Sequence, residues 1–270
     1  MIDLHCHMLP GIDDGAGDDN VALEMARMAS ADGVFTVVCT PHVTPGVYDN
    51  GADAIYAAVA RLDRMLADAG IPLNLAAGAD VHIAPALHTQ LRDKRVPTIA
   101  RSRYFLFEPP HHVVPPRLPE AVTVLLRAGF VPIVTHPERL SWIETHYAII
   151  GKLVAAGAPM QITAASLTGR FGRRPKYWAE RMLDEGIVDF VASDGHDPVS
   201  RPPLLSEARD IIGAAHGEEM ADRLFIGNPM KVLEDKPLHD RVATPAVVGA
   251  PARPVPAATR LAPQGGSARP

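Results

Sequence analysis

The sequence predicts an α/β fold, a TIM-like barrel of seven parallel strands, and three observations lead there. Short apolar runs alternate with amphipathic stretches along the chain instead of falling into blocks of one type. Several amphipathic stretches close on glycine, the usual residue after a helix C-terminus. Seven strand-helix units in succession call for crossover helices, and closing the sheet is the most economical arrangement.

The elements follow in order. "MIDLH" opens the chain as the first strand, and "DDNVALEMARMASADG" is the first helix, ending at Gly33. "VFTVVCT" is the second strand, followed by the helix "GADAIYAAVARLDRMLADAG" ending at Gly70. "LNLAAGA" and "RYFLFE" are the third and fourth strands, and "LPEAVTVLLRAG" is a helix closing on Gly129. "VPIVTH" is the fifth strand, ahead of the helical "LSWIETHYAIIGKLVAAG", which closes on Gly157. "MQIT" and "IVDFVASD" complete the seven.

The hydrophobic fraction of 47% and charged fraction of 21% belong to an ordinary globular protein, and 270 residues suffice for a substantial core. No apolar run reaches the roughly 18 residues of a membrane span. The N-terminus lacks the pattern of a signal peptide, so the expected location is the cytoplasm. Two cysteines are too few for a disulfide framework. A net charge of −5 disfavours nucleic acid as the partner. Residues 1–235 form the expected domain; 236–270, rich in Pro and Ala and carrying Arg241, Arg253, Arg260 and Arg269 against Asp240, is expected to be a flexible tail.

In such a barrel the chemistry gathers at the C-terminal ends of the strands. The first is followed by His5, His7, Asp13 and Asp14, the second by His42, the third by Asp80; the fourth ends at Glu108, the fifth at His136, and the seventh runs into Asp194 and His196. Only the sixth, "QITAAS", offers no comparable residue. Imidazole and carboxylate without thiolate suit manganese, zinc or iron, and the donors are too many for one ion. Alternate residues of an extended strand share a side, so His5 and His7 reach the same ion. His88, His146 and His216 are read as surface residues. His111 and His112 fit either a substrate rim or an ordinary loop.

Together "MIDLHCHMLPGIDDGA", "TPH", "GAD", "THPER" and "ASDGHD" resemble the polymerase and histidinol phosphatase (PHP) family. Within it they are most similar to the bacterial manganese-dependent tyrosine-protein phosphatases that accompany capsule and exopolysaccharide kinases. The resemblance covers roughly residues 1 to 235. It implies a distorted (β/α)7 barrel and up to three Mn2+ ions, with Zn2+ or Fe as alternatives. By motif, His5, His7, Asp80 and Asp194 hold one ion; Asp80, Glu108 and His136 a second; Asp14, His42 and His196 a third. Asp14 is preferred to Asp13 by the same analogy. Arg139 and Arg201 match positions that bind the substrate phosphate. The family usually has "GAE" where this chain has "GAD", and Asp80, one methylene shorter, bridges two ions only if the strand end moves inward or a water intervenes.

The implied activity is hydrolysis of protein phosphotyrosine, with a bacterial tyrosine kinase as the expected partner and the oligomeric state open. Histidinol-phosphate hydrolysis is the alternative within the family; a non-catalytic metal module and a nuclease are the alternatives outside it. A cysteine-based phosphatase needs an arginine six positions after its thiolate, but Cys6 leads to Ile12 and Cys39 to Pro45.

Overall fold

Burial decides the first strand, β1 (Ile2–Cys6), whose five residues are all buried. A strand covered on both faces is what a parallel α/β sheet requires. A computed structural model describes residues 1–238, so the tail expected at 236–270 lies outside the described residues from position 239 onward. After β1 come β2 (Thr36–Cys39), β3 (His42–Val43), β4 (Asn74–Ala77), β5 (Asp80–His82), β6 (Tyr104–Glu108), β7 (Val131–Thr135), β8 (Met160–Thr163) and β9 (Phe190–Ala192). All of these pair in parallel, in two sheets ordered β1-β2-β4 and β3-β5-β6-β7-β8-β9.

The expected second and third strands form as β2 and β4, but each is followed after a short break by a further strand, β3 and β5, that pairs in the other sheet. Pro41, which has no N–H to donate, separates β2 from β3. Gly78 separates β4 from β5; a Cβ there would lie 2.9 Å from Val38 Cγ1, so only glycine lets the strands approach. The sheets also meet at their ends: Asp194 N–H donates to the His5 carbonyl and His7 N–H to the Gly195 carbonyl, both at 2.8 Å.

The helices form where the sequence placed them. In Asp19–Ala31 the buried residues Ala22, Met25, Ala26 and Ala29 follow helical spacing, and Asp18 caps the N-terminus by accepting from Asn20 N–H and Val21 N–H. Such a cap contributes about 1 kcal/mol. The helix Ala52–Asp68 buries Ile55, Leu62 and Leu66 in the same manner. Gly33, Gly70, Gly129 and Gly157 all have positive φ, as expected of residues that end helices.

Alternation along β6 shows how the core supports the site. Phe105 and Phe107 enter the large core shared with the helices, while Tyr104 and Leu106 join a smaller one with Leu4, Val38, Ile133 and Phe190. Glu108 has the parity of Leu106, so it stands on the smaller core's side, at the strand's C-terminal end.

Candidate metal centre

The breaks and ends of the strands deliver the side chains. His5 lies in β1 and His7 just beyond it; His42 and Asp80 open β3 and β5 immediately after the two breaks; Glu108 ends β6; His136 follows β7; Asp194 and His196 follow β9. His136 and Asp194 have φ of 34° and 51°, a left-handed backbone that costs a non-glycine residue about 1–3 kcal/mol and is typical of functional sites. Asp14 comes from the loop after β1. There Gly15 is obligatory, since a Cβ would lie 2.0 Å from the His7 carbonyl oxygen.

All nine expected donors converge. His5 Nε2 and His7 Nε2 are 3.0 Å apart. His5 Nε2 lies 3.4 Å from Asp80 Oδ2 and 3.3 Å from Asp194 Oδ1, which is also 3.5 Å from His7 Nε2. Asp14 Oδ1 is 3.5 Å from both His42 Nε2 and His196 Nε2. His42 Nδ1 faces Asp80 Oδ2 and Glu108 Oε2 at 3.5 Å each, and His136 Nε2 is 3.7 Å from Glu108 Oε1.

The spacing tests whether the residues fit a metal. Donors about 2.1 Å from one ion stand about 3.0–3.5 Å apart on its coordination shell. A histidine-carboxylate hydrogen bond is shorter, as His7 Nδ1 and Asp13 Oδ2 show at 2.7 Å. The separations at the site match the former, with the His136–Glu108 distance of 3.7 Å slightly longer. Moreover, His42 Nδ1, both Asp80 carboxylate oxygens and His196 Nε2 are buried without hydrogen-bond partners, a costly state for polar atoms unless something else engages them. The donor set fits divalent cations.

Buried partners hold the imidazoles with Nε2 free. Asp13 accepts from His7 Nδ1, and also from His42 N–H at 2.9 Å and Gly15 N–H at 3.0 Å. Gln161 Oε1 accepts from His5 Nδ1 at 2.9 Å, and the Asp194 carbonyl from His196 Nδ1 at 2.9 Å. Sequence reasoning missed Gln161, although it occupies the one strand end without a ligand-type residue. Asp13, passed over for Asp14 as a ligand, instead accepts from the Gly15 N–H and holds the His7 ring.

The electrostatics are strongly coupled. Burial lowers the pKa of His7, but the hydrogen bonds to Asp13 and Asp194 outweigh it and raise the value to about 10. Burial and Arg139 push His136 down. Asp194 is held well below the usual carboxylate range: burial opposes this, but His5, His7, Arg201 and Arg139 prevail. Both arginines end on Asp194 Oδ2, Arg201 through Nη2 at 2.5 Å and Arg139 through Nη1. The Arg139 guanidinium also lies over the Phe171 ring, 4.8 Å from its centroid.

Other candidates fall outside. His88 and His146 are engaged by Thr89 and Thr145, and His216 lies 3.8 Å from Asp184. Cys6 and Cys39 are buried register partners on β1 and β2, with the thiol of Cys39 pushed up by burial to about 12.

Comparison with known proteins agrees with this geometry. The family described as "Capsular polysaccharide synthesis, CpsB/CapC" matches residues 1–234. The tyrosine-protein phosphatase YwqE of Bacillus subtilis (strain 168) is 35% identical over 220 residues, covering 82% of this chain and 87% of the relative. The tyrosine-protein phosphatase CpsB of Streptococcus pneumoniae is 29% identical over 241 residues, 87% of this chain and 99% of the relative. A crystal structure from work on these two proteins, described as unique metal-dependent tyrosine phosphatases, superposes with a TM-score of 0.84 at 33% identity, covering 88% of this chain and 96% of that one. With its parallel strands and the histidines and carboxylates gathered at their ends, the chain belongs to the CpsB/CapC family of capsular polysaccharide synthesis.

Proposed function

We propose that this chain hydrolyses phosphotyrosine on protein, using divalent cations held by His5, His7, Asp14, His42, Asp80, Glu108, His136, Asp194 and His196, with Mn2+ as the resident ion and up to three per chain. One observation carries the reading. Donors spaced for coordination, several of them buried without partners, surround Asp194, and the same carboxylate gathers two arginines. The family's named members act on phosphotyrosine, and the same substrate class is assigned here.

When bound, the cations supply Lewis acidity, which draws charge from the phosphoryl oxygens and acidifies water enough to attack near neutral pH. The protein's own groups orient the ester. Arg201 Nε is buried without a hydrogen-bond partner, so this guanidinium keeps a donor free for a phosphate oxygen while Nη2 is tied to Asp194. Arg139 is braced between Asp194 and the Phe171 ring and offers its remaining N–H groups to the same charge, which grows in the transition state. No cysteine takes part in this reading, since both thiols are buried and their pKa values raised.

The physiological substrate is assigned as a bacterial tyrosine kinase that governs capsule or exopolysaccharide synthesis. The enzyme is placed in the cytoplasm; among the described residues no helix is long and apolar enough to cross a membrane. Residues 1–235 are read as one catalytic domain, and the two sheets as a single distorted (β/α)7 barrel joined through the hydrogen bonds between the end of β9 and β1.

The test is phosphate release from a phosphotyrosine peptide and, in parallel, from histidinol phosphate, with Mn2+ and then with a chelator. Preference for the peptide, lost on chelation, is expected. Preference for histidinol phosphate would move the chain to the alternative activity, and turnover unaffected by the chelator would overturn the metal reading.

A further inference from the structure

His111 stands three residues beyond Glu108 and was not among the expected donors. Its Nε2 lies 3.5 Å from Glu108 Oε1, and its ring centroid is 5.0 Å from that of His136. The 3.5 Å separation repeats the coordination spacing found across the rest of the site and exceeds that of a hydrogen bond.

The donor grouping gives this contact its meaning. Glu108 points its two oxygens different ways: Oε2 to His42, Oε1 to His136 and His111. The sequence motif completes the Glu108 and His136 pair with Asp80. Asp80 Oδ2 instead faces His5 and His42, and the mutually close donor groups that include Asp80 do not contain His136. Among the described residues, the group of donors within 4.8 Å of one another that contains both Glu108 and His136 is completed by His111. Two donors alone hold an ion poorly; the third is this imidazole.

The loop that carries His111 is built to hold it. Pro109 and Pro110 fix φ at two positions between Glu108 and His111. Ser141 N–H and Ser141 Oγ both donate to the His111 carbonyl at 2.9 Å, and Trp142 Nε1 donates to the Pro110 carbonyl at 2.9 Å. The segment following β7, which carries His136, thus clamps the segment following β6. An imidazole in a slack loop would lose entropy on binding an ion; this one has lost most of it on folding.

We infer that His111 is a tenth metal ligand, completing with Glu108 and His136 a site for a divalent cation of the manganese, iron or zinc class that Asp80 does not reach. The inference rests on the reading of this cluster as a metal centre. Its neighbour His112 is exposed and serves as the control.

The experiment is calorimetric titration of the metal-depleted full chain with Mn2+ alone, for wild type, His111→Ala, His111→Gln and His112→Ala, together with the visible spectrum of each protein loaded with Co2+. One binding step is expected to weaken at least tenfold in both His111 variants, because losing a ligand costs no less than the 10–100-fold typical of losing a ligand's supporting partner. The Co2+ bands should change with it, and His112→Ala should match wild type. Equal melting temperatures in chelator would show that the variants fold. Unchanged affinity and unchanged Co2+ bands in both His111 variants would overturn the assignment and leave His111 a substrate contact. A wild type that binds no Mn2+ would overturn the metal centre itself, a result readily told apart from the first.

Discussion

Gln161 Oε1 accepts the Nδ1 proton of His5 at 2.9 Å, across 156 residues of sequence, and thereby holds the His5 Nε2 lone pair toward Asp80 and Asp194. β8, the strand that brings no candidate ligand, thus orients a candidate ligand of β1. Partners of this kind orient a ligand and raise its basicity, and their loss typically costs 10–100-fold in metal affinity or activity. Gln161→Leu should therefore weaken Mn2+ binding by about that factor, while Gln161→Glu, which still accepts from Nδ1, should keep it. Titration with Mn2+ in the absence of substrate decides the matter; wild-type affinity in the Leu variant would reduce Gln161 to a packing residue.

Much of this site was legible in the sequence because strand ends are short and their residues sit next to apolar runs. His5, His7, Glu108, His136, Asp194 and His196 could be placed by that rule alone. Gln161 could not, because a neutral amide at a strand end carries no signal of its own until its partner is known. The short strands β3 and β5 escaped for a related reason. Pro41 and Gly78 mark the breaks locally, but the transfer of β3 and β5 to the second sheet depends on which neighbours they meet, a long-range fact. The placement of His111 beside Glu108 and His136 likewise depends on the clamp by Ser141 and Trp142, which lie some thirty residues further on.

Arg201 and Arg139 converge on one oxygen of Asp194, and the consequence is kinetic. Lysine retains the charge but not the planar fork, so it cannot bond Asp194 and a phosphate oxygen together. Arg201→Lys should lower kcat/KM toward an aryl phosphate by about 10²–10³, comparable with removing one preorganised donor to transition-state charge. Mn2+ stoichiometry should be unchanged. A variant that loses its metal instead would assign Arg201 to holding Asp194 in place rather than to the substrate.

The thiols give a sharp negative test. Cys6 and Cys39 are wholly buried, and burial raises both pKa values, which leaves almost no thiolate to attack anything near neutral pH. The double variant Cys6→Ala and Cys39→Ala should keep its metal-dependent turnover and lose only stability, about 1–2 kcal/mol for each small buried side chain removed. Iodoacetamide should leave the native enzyme active. Abolished turnover in a folded, metal-loaded double variant would contradict the proposed mechanism.

Outside the candidate metal centre, the Tyr147 hydroxyl donates to Glu185 Oε2, while Arg181 Nε donates to Oε1 at 2.8 Å and its guanidinium covers the Tyr147 ring. Burial first, and then the bond to Glu185, push the phenol well above its ordinary value. The folded pKa exceeds the unfolded value of about 10, so the phenol's contribution is fully present below pH ~10 and is lost as the pH rises toward the folded value. Tyr147→Phe should therefore be less stable than wild type at pH 8, by about 1 kcal/mol, with the gap narrowing at pH 11. Urea unfolding at the two pH values measures it; a gap that does not change with pH would mean that the hydroxyl does not titrate as described.

Asp80 presents the most direct question about the metal centre. Its carboxylate is wholly buried and neither oxygen has a hydrogen-bond partner, yet His5 and His42 stand 3.4 and 3.5 Å from Oδ2. An unpaired buried carboxylate costs several kcal/mol, and in the proposed centre a cation's charge would offset that cost. Removing it with Asp80→Ala should abolish activity and lower Mn2+ affinity, while the metal-free protein, relieved of that carboxylate, should melt no lower than wild type. Asp80→Glu restores the charge on a longer arm and should retain turnover, with the added methylene extending the carboxylate's reach toward Glu108 and His136. Comparing Mn2+ stoichiometry, activity and chelated melting temperature across the three proteins separates the cases. A Glu variant that binds Mn2+ fully but turns over nothing would show that the shorter side chain sets the spacing this chain requires. An Ala variant that melts lower in chelator would show that Asp80 stabilises the fold through its histidine neighbours rather than through the metal.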